Sequence, residues 1–255
     1  MKNYQFILIL ATMMQCFISS CNKDISEDAN TDIFPFEAEI LADIIKPENI
    51  DAYEYPITPG SPGWGTLKPH ERSEVMQIPD SILQNMSTWG LVETCFNYPL
   101  YGVFTIMDDY SSYINSLSST GFNGLKELYS RNDVEKILLY SYRHLNIKNF
   151  ENENLLKLNF IELIVGCDKF ISQLDQNQCV FLVAVALEKA NEQRNKLDIG
   201  PFSVFVMGNT MIHANYKPFI DHCSLKKEYV YMGILKKFNT SDEKIEEYAK
   251  NFIKL

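Results

Sequence analysis

Nucleophilic catalysis needs a thiol or hydroxyl, a base within reach of it, and a group that orients the base. Here the pieces would be Cys223 or Cys95 with His144, His213 or His222. The run Asp221-His222-Cys223 sets an acid, an imidazole and a thiol side by side, but neighbouring side chains do not meet as a triad does. His144 and His213 fall near expected helix C-termini, where an imidazole meets the dipole and free carbonyls, so a structural role is expected for each. Metal binding would need HExxH or paired CxxC, and neither occurs. His213, His222 and Cys223 are irregularly spaced, so no metal is expected, and no motif calls for a cofactor. There is no GxGxxG after a strand, no GxxxxGK[ST] and no GxSxG. Asp108-Asp109 reads as a solvated turn.

Aromatic side chains offer binding instead. Tyr53, Tyr55 and Trp64 lie in or beside a Pro/Gly-rich loop, and Trp89 begins a later helix. Exposed rings on a rigid loop would form a platform for a sugar or a protein partner. The plainer expectation is that Trp64 pins the loop to the body of the protein.

The elements that must position these residues read as helices. Phe34–Ile45 has an apolar side and ends at Pro47. The stretch from Tyr55 to Gly65 is too rich in Pro and Gly to be helical and is expected to be an ordered loop. Short helices follow at His70–Met76, after Pro69, and at Ser81–Met86, capped by Asp80; Ser87 caps Thr88–Phe96. Phe122–Ser130 is amphipathic, and Asn132 with Glu135 resembles a capping box for Asp133–Leu145. Asn154–Leu174 reads as one long helix, apolar nearly all round and therefore central. Cys179–Leu187 would pass for a buried strand, but Asp175 with Gln178 makes a helix start before it. Ser203 caps Val204–Ala214, Asn215 takes the left-handed position after it, and Thr240 with Glu243 starts Ser241–Lys254. Glu228–Leu235 alternates enough for a strand. The expected fold is all-α: an irregular array of antiparallel helices, or a small superhelix, with a long Pro/Gly-rich loop.

Composition agrees. In 255 residues, 46% are hydrophobic and 22% charged, which excludes disorder throughout and a polytopic membrane protein. A net charge of −10 offers nothing to neutralise a phosphate backbone, so no nucleic-acid partner is expected. Cys95, Cys167, Cys179 and Cys223 allow three pairings among which the sequence does not choose.

The first twenty residues are a secretory signal: Lys2, an apolar run from Phe6, and no acid before Asp24. Ile18-Ser19-Ser20-Cys21 resembles the lipobox of bacterial lipoproteins. The resemblance implies cleavage before Cys21, diacylglycerol on its thiol and acylation of the new amine, as with palmitate. A fold attached to the bilayer by acyl chains follows. Residues 1–20 are the signal, 21–33 an acidic tether and 34–255 a single helical domain. Four acids soon after Cys21 resemble the surface-export signal of Bacteroidetes lipoproteins, so an outer-membrane, surface-exposed position is expected, with a periplasm-facing one as the alternative. Asp80-Ser81-Ile82 resembles the O-glycosylation acceptor of Bacteroidetes secretory proteins, which would place a glycan on Ser81, although Ser81 also suits a helix start.

Tyr55-Pro-Ile-Thr-Pro-Gly60, Gln77-Ile-Pro-Asp80, Asn85-Met-Ser-Thr88, Leu91-Val-Glu-Thr-Cys-Phe-Asn-Tyr-Pro-Leu100 and Phe122-Asn-Gly-Leu-Lys-Glu-Leu128 resemble a group of uncharacterised Bacteroidetes lipoproteins. That resemblance implies a helical fold and carries no catalytic residue. The expected function is a lipid-anchored, non-enzymatic binding or assembly module, with the membrane and a protein or glycan as partners. The alternative is a lipid-anchored hydrolase with a Cys/His site assembled by the fold.

Overall fold

The computed structural model describes residues 34, 36–107, 109–146, 155–194, 202–225 and 240–255, and every regular element among them is a helix. The fold is all-α, as the periods and caps predict. The signal, the lipobox, the tether and the alternating stretch 228–235 lie outside the described residues, as does Asp108.

Helix α1 covers only Glu37–Leu41, not the expected Phe34–Ile45. Ile45 is 86% exposed, so past Leu41 the apolar stripe gains no burial to hold a short helix together. The next stretch is an ordered loop. Gly60 and Gly63 adopt left-handed backbone (φ 85° and 92°), and Ser61 Oγ donates to Thr58 O (2.7 Å) and accepts from Thr58 N (2.9 Å). Helix α2, Pro69–Val75, starts on its proline, and Lys68 N donates to Glu71 Oε2 at 2.6 Å. Helix α3 is a single turn, Asp80–Leu83, with Pro79 at its N-cap; Asp80 is its first residue and not its cap. Helix α4, Thr88–Phe96, is capped as expected: Ser87 Oγ accepts from Gly90 N at 3.0 Å.

The loop is strapped to α4. Tyr53 N donates to Thr94 Oγ1 (2.8 Å), and Ser87 N donates to Asp51 Oδ2 (2.7 Å). Burial works to raise the Asp51 carboxyl, but its hydrogen bonds from Ser87 prevail and hold it below the ordinary range. Gly90 permits this approach, because a Cβ there would stand 2.3 Å from Asp51 Oδ1 and 2.7 Å from its carbonyl oxygen.

Helix α5, Tyr110–Ser116, is capped by Asp109, which accepts from Ser112 N and Oγ, and it runs into a π-helical turn, Leu117–Gly121. Helix α6 is Asn123–Leu128 and α7 is Val134–Arg143. The expected capping box of α7 does not form. Its N-cap is Asp133, whose carboxylate accepts from Thr88 Oγ1 at 2.6 Å and so ties α7 to the start of α4.

The expected long helix Asn154–Leu174 is two helices, α8 (Leu155–Val165) and α9 (Asp168–Ile171). They part at Gly166, where a Cβ would meet the Phe205 ring at 2.7 Å, and at Cys167, which is extended. The apolar period ran through the break because both pieces are buried. Helix α10, Gln176–Arg194, has the expected capping box: Gln178 N donates to Asp175 Oδ1 (2.8 Å), and Asp175 N donates to Gln178 Oε1 (2.9 Å). Its valines favour strand locally, but the cap and burial on all sides prevail.

Helix α11 is Ser203–His213, capped by Phe202, so Ser203 lies inside it and not at its cap. Asn215 does take the left-handed position (φ 54°), and bonds from Tyr216 N to Met211 O (2.9 Å) and from Asn215 N to Ile212 O (3.0 Å) close a Schellman motif. Helices α12, Lys217–Leu225, and α13, Asp242–Phe252, complete the set. The N-cap of α13 is Ser241; buried Thr240, expected to cap it, instead pairs its hydroxyl with His222 Nε2 at 2.8 Å.

Helices α10 and α11 pack on each other and on α13, α8 packs on α11, and α4 lies against α6, α7 and α8. Phe160, Phe181, Phe205 and Phe252 are fully buried in this core. Residues 34–255 form one unit of contacts. No helix among the described residues is long and apolar enough to cross a membrane.

Candidate functional site

Trp89, Val92, Glu93 and Phe96 stand at i, i+3, i+4 and i+7 on α4 and so share one face of it. That face forms one wall of a cavity of about 370 Å³. The end of α7 supplies Tyr140, Ser141 and His144, followed by Leu145 and Asn146. Lys46 and Ile50 come from the segment after α1, and Lys157 from the first turn of α8. Val92 and Phe96 are buried; Trp89 and Tyr140 are half-buried.

The aromatic groups are mutually fixed. The Trp89 ring meets Tyr140 edge-on, with centroids 5.3 Å apart. The His144 ring stacks on Tyr140 at 4.0 Å. His144 Nδ1 lies 2.9 Å from Tyr140 O. A carbonyl only accepts, so Nδ1 carries a proton, and Nε2 is the ring nitrogen left for other partners. The charged groups are also tethered. Asn97 Nδ2 donates to Glu93 O and Oε1 (2.8 Å each), and Lys157 Nζ donates to Asn97 Oδ1. Burial lowers the Lys157 ammonium from its usual range, and the Glu93 charge works against that fall.

A buried polar network lies elsewhere, between α8, α10 and α11. Glu162 is 0% exposed. Its Oε1 accepts from Tyr142 Oη (3.1 Å), Gln193 Nε2 (2.9 Å) and Ser203 Oγ. Its Oε2 has no hydrogen-bond partner among the described residues, and neither has Gln193 Oε1. Burial raises the Glu162 carboxyl to about 7, although the hydroxyl and amide donors and the Lys189 charge oppose that rise. Lys189, itself buried, donates to Arg143 O (3.3 Å) and Leu145 O (2.9 Å). It thus holds the C-terminal end of α7, the segment that carries His144 and Leu145 into the cavity.

The residues that drew attention in the sequence separate in space. Trp89 lines the cavity. Tyr53 and Tyr55 pack edge-on at 5.0 Å, and Tyr55 meets Tyr98, itself buried beside Phe122. Burial pushes the Tyr55 hydroxyl well up. Trp64 packs against the core with the Arg72 guanidinium 5.4 Å from its ring centroid. Ser81 is exposed in the single turn of α3.

His213 Nε2 lies 3.3 Å from Asp168 Oδ1, which also accepts from Asn209 Nδ2 at 2.7 Å. His213, Asp175 and Cys179 line a second hollow of about 290 Å³, but burial pushes the Cys179 thiol up to about 12, so it is no nucleophile at neutral pH. Cys95 is fully buried and its thiol is raised well above its usual range by that burial. The four described cysteines are free thiols. No group of three or more His, Cys, Asp or Glu among the described residues is placed to hold a metal ion.

Sequence reasoning reached Trp89 and His144 separately and missed Tyr140, Lys46, Glu93 and Lys157. The i, i+3, i+4, i+7 face of α4 was available as a signal; the meeting of α4 with α7 was not. Comparison with protein-family models, with curated proteins and with solved structures finds no match.

Proposed function

We propose that this chain is a non-enzymatic binding module, anchored by lipid on Cys21 to a bacterial outer membrane, that captures a small ring-bearing ligand in the cavity between α4 and α7. The observation that carries the reading is the cavity itself. It is concave and of small-molecule size, and it sets the half-buried Trp89 and Tyr140 rings beside fixed polar groups. The lipobox-like Ile18-Ser19-Ser20-Cys21 and the likeness to uncharacterised Bacteroidetes lipoproteins support the anchor.

Two measurements test the two halves. Mass spectrometry of the chain purified from membranes should find Cys21 at the N-terminus carrying diacylglycerol and an acyl group, and Cys21→Ala should release the protein from membranes. Protease treatment of intact cells should then release the domain, whereas protection until the outer membrane is permeabilised would place it facing the periplasm. For the cavity, Trp64→Phe leaves Trp89 as the single indole, since the chain has two tryptophans. Trp89 emission should shift when a cell-envelope glycan digest is added, and Tyr140→Ala should abolish the shift. A response that survives Tyr140→Ala would refute the cavity.

A further inference from the structure

The charge around the cavity runs against the charge of the chain. Cleavage before Cys21 removes one lysine and no acid, so the mature protein has 22 basic and 33 acidic side chains, a net −11. Among the described residues the cavity lining instead has Lys46 and Lys157 against the carboxylate of Glu93. Glu93 is also engaged, since Asn97 Nδ2 donates to its Oε1. Lys157 commits one N–H to Asn97 Oδ1 and keeps two further donors. It is half-buried, so part of its water is already stripped, and an incoming anion would replace solvation that the fold has removed. His144 Nε2 adds a further polar ring nitrogen to the lining.

We infer that the cavity selects an anion, specifically a carboxylate borne on a six-membered ring, which packs into the corner that the mutually perpendicular Trp89 and Tyr140 rings make while Lys157 and Lys46 receive its charge. This rests on the reading of the cavity as a binding site. The apolar floor of Val92 and Phe96 suits a ring face, and about 370 Å³ is room for a ring of this size. An acidic sugar and an aromatic acid share this chemistry.

The test uses the full chain in detergent, carrying Trp64→Phe, with Trp89 emission as the readout. Four compounds are titrated at low salt: glucuronate and glucose, benzoate and benzyl alcohol. Each acid is expected to bind at least about fivefold tighter than its neutral counterpart, the difference that a partly exposed ion pair supplies. Rising salt should erase that preference. Lys157→Gln and Lys46→Gln should each erase most of it, and Lys46 is exposed, so its replacement leaves the fold intact. Glucuronate binding more tightly than benzoate assigns the source to acidic sugars, and the reverse order to aromatic acids. Equal binding of acids and neutral compounds, lost in Tyr140→Ala, would overturn the anion inference and leave the cavity a binding site. Silence from all four compounds, where millimolar complexes would be saturated, would overturn both.

Discussion

Replacing Glu162 with glutamine should stabilise the protein at alkaline pH, against the usual outcome of altering a fully buried polar residue. The unfolded carboxyl releases its proton near 4.5 and the folded one near 7. Between those values the folded state keeps a proton that the unfolded state has lost, so stability falls as pH rises through this window. Below it both states are protonated and the contribution of the neutral acid is fully present; above it both are ionised and the loss is complete. At about 1.4 kcal/mol per pH unit the loss amounts to about 3 kcal/mol. Glu162→Gln keeps an oxygen to accept from Tyr142, Gln193 and Ser203. It replaces the unpartnered Oε2 by an amide nitrogen, in a network where Gln193 Oε1 lacks a donor. The variant therefore imitates the protonated acid at every pH. Thermal unfolding followed by circular dichroism is the assay. At about 2–4 °C per kcal/mol for a chain of this size, Glu162→Gln should melt about 6–12 °C above wild type at pH 8. At pH 4 the two should melt together. The other carboxylates titrate alike in both proteins and cancel in the difference. A variant that melts below wild type at pH 8 would refute the reasoning, because it would mean that the network holds the charged carboxylate.

Three further outcomes follow from the packing. Gly90→Ala should destabilise by about 1–3 kcal/mol, since its Cβ would strike the Asp51 carboxylate and backbone and push the strap off α4; an unchanged urea midpoint would contradict this. Lys189→Met should lose about 1 kcal/mol, because it strips donors from the part-buried carbonyls at the end of α7. Through Leu145 and His144 it should also weaken ligand-induced changes in Trp89 emission, and retention of both properties would exclude a positioning role for Lys189. Iodoacetamide at pH 8 should leave Cys95, Cys167 and Cys179 unlabelled in the folded protein, because all three are buried with raised thiols; peptide mass spectrometry showing early labelling at any of them would contradict the burial.

Much of the fold was legible because helix starts are local. Ser87 before α4, Asp175 with Gln178 before α10, and Asn215 after α11 act through backbone groups within a few residues, so their types and spacing suffice. The departures occur where a distant partner took over a local group. Ser203 is drawn to Glu162 and Thr240 to His222, and neither makes the cap that its spacing suggested; at α7 the N-cap is Asp133, tied to Thr88, and not the expected Asn132. Gly166 marks a break that hydrophobic period could not show, since what forbids a side chain there is the Phe205 ring of α11.

The sequence by itself determined the all-α fold class, several helix starts, the acidic balance and the expectation of a lipid-bearing Cys21, because each depends on composition or on residues adjacent in the chain. Only tertiary structure decided that Trp89 faces Tyr140 and His144, that Lys46 and Lys157 come to one rim, and that Glu162 loses all contact with water. Those facts join segments far apart in sequence through packing, and burial, which sets both the Glu162 carboxyl and the Lys157 ammonium, is a property of the assembled core.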